Sequence, residues 1–157
     1  MPTYHEIITA QLARLPEIAA WPDINALFEA TPAVAHPDWE IPVLACQAVG
    51  GQAEAAHPAA AAVACLPISI MLVDDMLDED PRGIYRDRGV GPTANLALAF
   101  QGAAGRLLAM ADVPAAQRLA ALNSLSRAGL ATAYGQSLDV QNLRGEENYW
   151  RVVEAKS

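Results

Sequence analysis

The sequence predicts an all-α protein, and three observations predict it. Alanine supplies 33 of the 157 residues. The long stretches between proline and glycine are built from Ala, Leu, Gln and Arg, all strong helix formers. At 53% hydrophobic and 18% charged residues, the chain is too apolar to stay disordered and long enough for one domain with a real core. We read residues 1–157 as that single helical domain.

The elements follow in order. Residues 5–14 form a first helix that stops near Pro16, and 22–30 a second, with Asp23 placed to cap or charge its N-terminus. "TPAVAHPDWEIP" carries prolines at 32, 37 and 42, each without a backbone donor, and reads as a loop leading into a helix at 43–49. Glycines 50 and 51 close that helix. From Pro58 to Leu77 runs one apolar helix with proline in its first turn, and Pro67 should kink it one to two turns before the acids that follow. Residues 93–110 and 114–140 read as two long helices, apolar nearly all round, with Asp112 or its turn capping the second. "GEENYWRVVEAKS" is a last helix, and no internal repeat interrupts the series.

Composition excludes several function classes. Ten Lys+Arg against eighteen Asp+Glu give a net charge of −8, and the basic residues are scattered, so no stripe meets a nucleic-acid backbone. Cys46 and Cys65 have no partners at metal-ligand spacing and no histidine close by in sequence, which makes them reduced core residues of a cytoplasmic protein. The N-terminus lacks a basic segment followed by an apolar core, and the most apolar run, residues 59–73, is shorter than the roughly 18 residues of a bilayer span. We therefore expect neither nucleic acid nor a membrane span.

The end of that apolar run holds the chemistry. In "IMLVDDMLDEDPRGIY", residues 70–85, five acids crowd together: Asp74, Asp75, Asp78, Glu79 and Asp80. On a helix Asp74 and Asp78 stand one turn apart on the same face, Asp75 lies about 100° round, and Asp80 falls on the far side as the helix meets Pro81. A helix C-terminus already carries about half a negative charge, so each acid costs a few tenths of a kcal/mol or more there before mutual repulsion. A divalent cation reverses the sign of every one of these terms. Mg²⁺ held by one or two carboxylates, with water and a substrate phosphate filling the other positions, fits the donor set. An EF-hand loop is excluded because no glycine takes the sixth position of any D-x-D frame, and a phospho-aspartyl nucleophile would need a strand.

"LVDDMLDEDPRG" resembles the first aspartate-rich motif of the trans-prenyl diphosphate synthases, D-D-x-x-D followed by an arginine-glycine pair. "GGQAEAAHPAAAAVACLPISIMLVDD" is similar to the helix leading into that motif, "GVGPTANLAL" to the G-V-x-T-A stretch, "GQSLDV" to the G-Q-x-x-D element, and "YWRVVEAKS" to the segment ending in a Lys-Thr pair. The resemblance covers most of residues 40–157. It implies an isoprenoid-synthase-type helical bundle in which Asp74 and Asp78 chelate Mg²⁺, with Asp75 and Asp80 supporting and Asp80 a further metal ligand. It also implies that Gln136 and Lys156 approach an allylic diphosphate, that Asp139 completes the G-Q-x-x-D surface, and that Arg82 belongs to the diphosphate site. The implied reaction ionises the allylic diphosphate, with metal and lysine stabilising the leaving group, before the double bond of isopentenyl diphosphate attacks. Residues four and five before Asp74, Ile70 and Ser69, would floor the product cavity.

Departures from the family pattern shape the rest of the reading. Where the family carries Gly-Lys-x-x-Arg before a proline, this chain has "PDWEIP", with Asp38 and Glu40 in a region expected to be basic. Val73 stands where the family often has histidine, and Arg82 is preceded by Pro81, although Arg86 and Arg88 could compensate if the loop folds back. A second D-D-x-x-D does not occur in these residues. The resemblance therefore implies a partial bundle completed by another chain that carries the second motif, and an oligomer built through the apolar helices. Two alternatives stand beside that reading: a non-catalytic regulatory subunit of such a synthase, and a subunit that ionises a prenyl diphosphate without condensing it, as a terpene cyclase does.

Overall fold

The computed structural model describes residues 2–30, 37–142 and 144–156, and every regular element among them is helical. Helix α1 (Tyr4–Leu12) opens on a reciprocal cap in which the Thr3 hydroxyl accepts from the Glu6 backbone and the Glu6 carboxylate accepts from the Thr3 backbone. The donated bonds hold the Glu6 carboxyl below the usual carboxylate range. Short α2 (Pro16–Ala19) uses the proline that the sequence reading took only as a stop, because proline is well placed in a first helical turn. Then come α3 (Pro22–Ala30), a 3₁₀ turn over Pro37–Trp39, α4 (Ile41–Ala48) and a second 3₁₀ turn, Ala53–Ala56. Half of the proline-rich loop expected before α4, residues 31–36, lies outside the described residues; of the rest, Pro37–Trp39 form a 3₁₀ turn and Ile41 and Pro42 already belong to the first turn of α4.

Helix α5 (His57–Leu77) is the axis of the bundle. Helix α7 (Val90–Ala109) packs along its length, α1 and α4 cover other sides, and α8 (Ala115–Val140) closes against α5 and α7. Between α5 and α7 lies a single turn, α6 (Tyr85–Arg88), and α9 (Glu146–Lys156) packs on α8. Small residues let the helices approach: Ala60, Ala61, Ala62, Ala64 and Cys65 are all fully covered. Larger side chains from the other helices, Ile8, Leu12, Phe28, Phe100 and Leu107, complete one main apolar cluster. Burial pushes the Cys65 thiol up to about 12, as expected of an inert core thiol.

Three expectations are refined. Pro67 sits inside α5 without ending it, on an exposed side of the helix. Asp112 does not cap α8; Pro114 takes that position, and the Arg118 guanidinium ties the turn by donating to the Ala111 and Val113 carbonyls at 3.3 and 2.8 Å. The apolar helix is also longer than the expected run, because Ala53–Leu77 forms 25 residues of continuous helical structure whose most apolar 18-residue window has mean hydropathy 1.8, enough by length and composition to cross a membrane. Over half of its most apolar window (56%) is buried inside the bundle, which is how a core helix uses such a sequence.

Helix α8 is unlike the others. Only Gly135, Gln136 and Leu138 are buried along its 26 residues, while Leu119 and Leu130 remain 60% and 72% exposed. We expect Phe100→Ala, which empties a fully buried site between α7 and α5, to cost about 3–5 kcal/mol in chemical denaturation, and Leu130→Ala to cost under about 0.5 kcal/mol in the chain by itself.

Candidate functional site

The five acids occupy the last turn of α5 and the turn that ends it. Asp78 is the C-cap, its backbone N–H donating to the Asp74 carbonyl at 2.8 Å, and the Asp80 N–H reaches back to the Asp75 carbonyl at 2.9 Å. That closure needs a left-handed residue between them, and Glu79 supplies it with φ of 53°, a conformation usually left to glycine. Asp74 and Asp78 therefore do stand one turn apart, as the spacing predicts.

The loop after the acids folds back over them. Arg82 grips Asp80 with two guanidinium bonds, Nε at 3.1 Å and Nη2 at 2.8 Å, and its backbone N–H adds a third at 2.8 Å. These bonds hold the Asp80 carboxyl down at about 2 and raise the Arg82 guanidinium. Arg86 donates to the Glu79 carbonyl at 2.7 Å, pinning the strained residue, while its guanidinium lies 4.9 Å from the centre of the Tyr85 ring. Gly83 makes the fold-back possible, because a Cβ there would come within 2.9 Å of Asp75 Cβ and 2.8 Å of the Tyr85 ring. The loop does fold back, but Arg86 is used on the Glu79 carbonyl, and Arg88 turns away to pair with Asp23 of α3 at 2.7 Å.

With Asp80 held by Arg82, the remaining carboxylates of the cluster are Asp74, Asp75 and Asp78, beside the exposed Glu79. Burial first, then the charges of Asp80 and Asp74, raise the Asp75 carboxyl, with Arg82 opposing. That field is net negative, but among the described residues no group of three or more acid, histidine or cysteine side chains is placed to hold a metal ion. A cation there would have to take most of its ligands from water and a bound phosphate.

Directly beneath the acids a cavity of about 270 Å³ opens between α5, α7 and α8, lined mostly by apolar side chains, among them Leu66, Ile70, Val73, Ala94, Ala97 and Leu98. Ser69 and Ile70, which the resemblance puts at the floor, are among its lining, with Leu66 further from the acids and Val73 nearest them. Gln136 also lines it, 4% exposed, with neither amide nitrogen nor oxygen paired within the protein. An amide left without partners in an apolar wall costs about 1–3 kcal/mol unless a ligand or water meets it. Asp139 follows it one turn later on α8, partly exposed. Lys156 closes α9, and its side chain lies outside the described residues. Sequence reasoning missed Gln101, Gly129 and Thr132, which share this cavity; their three- and four-residue spacing from Ala97, Leu98, Ala133 and Gln136 was the available signal.

No protein-family model and no curated protein matches the chain. A solved structure does: a geranylgeranyl pyrophosphate synthetase from the archaeon Geoglobus acetivorans, with a TM-score of 0.84 and 21% identity over 98% of this chain. The chain spans 52% of that synthetase, so its fold is that of about half of an isoprenoid-synthase helical bundle.

Arg82→Ala should return the Asp80 carboxyl from about 2 toward its ordinary 3.8, read by carboxyl NMR titration. A depressed acid adds stability above its unfolded value and loses it as pH falls through the folded one, so the variant should also lack the loss of stability that the parent shows between those two values. Asp75 has the opposite sign, its raised value opposing folding at neutral pH, and Asp75→Asn should gain a few tenths of a kcal/mol in urea denaturation at pH 7.

Proposed function

We propose that the chain is the part of a Mg²⁺-dependent prenyl diphosphate synthase that binds the allylic diphosphate for head-to-tail condensation with isopentenyl diphosphate. The observation that supports it most is the stacking of two unlike features on one helix: a carboxylate cluster at the end of α5 and, below it, an apolar cavity with one unpaired amide. An allylic prenyl diphosphate has the same two parts, an anionic head and a hydrocarbon tail.

Asp74 and Asp78, with Asp75 beside them, would hold Mg²⁺, which when bound would neutralise the departing diphosphate. The chain's own residues do the remaining work. Val73, Ala94 and Ile70 would lie against the first carbons of the tail; Val73 and Ala94 are exposed in this chain, so keeping water from the allylic carbon would fall to whatever covers them. The Gln136 amide offers two N–H donors and a carbonyl at the junction of head and tail. Arg82 and Arg86 fix the acid turn in place. Lys156, at the end of α9, would approach the same diphosphate. A second D-D-x-x-D motif would come from another chain, and the exposed apolar side chains of α8 and Leu98 of α7 offer a surface on which such a chain could close the bundle.

A second reading has its own observation. Asp38 is exposed and Glu40 partly so at the turn before α4, where an isopentenyl diphosphate site would need cations. An assembly that ionises a prenyl diphosphate without condensing it would have no use for those cations.

We expect Asp74→Ala or Asp78→Ala to abolish Mg²⁺-dependent binding of a prenyl diphosphate by the assembled protein, measured by calorimetry, with the helical circular dichroism unchanged. Unaltered affinity in both variants would make the acids a solvated helix end. We also expect the 157-residue chain alone to associate in sedimentation equilibrium at micromolar concentration, and a stable monomer with cooperative melting would overturn the partner reading.

A further inference from the structure

Glu79 holds φ of 53°, a conformation in which an L side chain crowds its own backbone, and it is exposed, so no packing forces that conformation on it. The acid turn depends on it nonetheless. With Glu79 left-handed, the Asp80 N–H reaches back to the Asp75 carbonyl at 2.9 Å and closes the end of α5. A glycine would take that conformation at no steric cost. Because the residue is a glutamate, a contact from outside the turn has to hold it there.

Arg86 makes that contact, its Nη2 donating to the Glu79 carbonyl at 2.7 Å across seven positions. The turn it starts from, α6, is anchored to the body of the protein: Tyr85 is buried, and Arg88 donates to Asp23 of α3 at 2.7 Å. Arg82 cannot serve in the same way, since it is bonded to Asp80 two residues off and moves with the turn. What the strut protects is the placement of Asp78, the C-cap, which stays one turn from Asp74 through its N–H bond to the Asp74 carbonyl at 2.8 Å. Five acids at a negative helix end favour fraying, and fraying separates Asp78 from Asp74, because their common face exists only while the turn is helical. That this end meets a ligand has separate support in Gln136, 4% exposed and without a partner within the protein, on the wall of the adjoining cavity.

We propose that Arg86 is a positioning residue: from α6 it holds Glu79 in the left-handed conformation and so keeps Asp78 beside Asp74 for a divalent cation bound together with a diphosphate. This rests on the allylic-diphosphate reading of the same site. Arg86 acts through the backbone at Glu79 and does not touch the ligand. Its loss therefore weakens the demand for metal to be met, and Glu79→Gly makes it dispensable.

The test is equilibrium binding of farnesyl diphosphate to the assembled protein over a series of Mg²⁺ concentrations, with the thermal melting of each variant measured beside it. Arg86→Ala should raise the Mg²⁺ concentration for half-saturation by about tenfold, the size expected when a strained turn is released, and leave melting little changed. Arg86→Lys, which keeps a donor for the carbonyl, should stay within about threefold of the parent. Arg86→Ala combined with Glu79→Gly should return to within about threefold as well, whereas Arg86→Ala combined with Glu79→Ala, which removes the same carboxylate but keeps the Cβ, should not. A folded Arg86→Ala variant with the parent's Mg²⁺ dependence overturns the inference. So does a loss that Glu79→Gly fails to restore, which would put Arg86 on the ligand itself, and so does equal rescue by Glu79→Ala, which would reduce its role to relief of charge repulsion. Each of these leaves the proposed function standing. Failure of the parent protein to bind farnesyl diphosphate with Mg²⁺ overturns the proposed function and this inference with it.

Discussion

Everything in this fold is arranged around one constraint: α5 is apolar on nearly every side and then becomes acidic within a single turn. The first part forces burial, and α1, α4, α7 and α8 provide it. The second part forbids burial, since a cluster of carboxylates at a negative helix end cannot enter a core without compensation. The bundle therefore has a defined top, where the axis emerges and the charge begins. Every other feature of the site is placed relative to that boundary.

The boundary is rigid on one side and adaptable on the other. Arg82, Arg86 and Gly83 clamp the turn that carries Glu79 and Asp80, so the acids nearest the loop are fixed by protein contacts alone. The buried Gln136 amide has no such fixture: neither its nitrogen nor its oxygen finds a partner within the protein, so a water or a ligand has to meet it. A preorganised anionic rim above an unsatisfied amide in an apolar wall is a consistent design for holding a molecule whose two ends differ in polarity.

Much of this was legible in the sequence because the signals were periodic or local. Helix existence followed from composition and punctuation; the long helices α5, α7 and α8 fall within a few residues of their expected limits. The i, i+4 relation of Asp74 and Asp78 survives in the structure because helix geometry alone fixes it. What could not be read depended on contacts across the chain. The pairing of Arg88 with Asp23 joins residues 65 positions apart, and no spacing rule links them. The short helices α2 and α6 are too brief to show periodicity, and the left-handed Glu79 breaks the preference that sequence reading relies on. The cavity needed three helices to be placed side by side before its lining could be named.

The sparse burial of α8 has a consequence for motion. Opening free energies within a folded chain track local burial, so the amides of α5 and α7 should exchange hydrogen only when the whole bundle comes apart, whereas those in the first half of α8 should exchange through small local openings. Two walls of the cavity are thus as durable as the fold, and the third is hinged on the few buried residues near its end, Gly135, Gln136 and Leu138. Under the proposed function, a hydrocarbon tail would not need to thread past the acids to enter the cavity: it would be admitted sideways as the loosely held wall breathes.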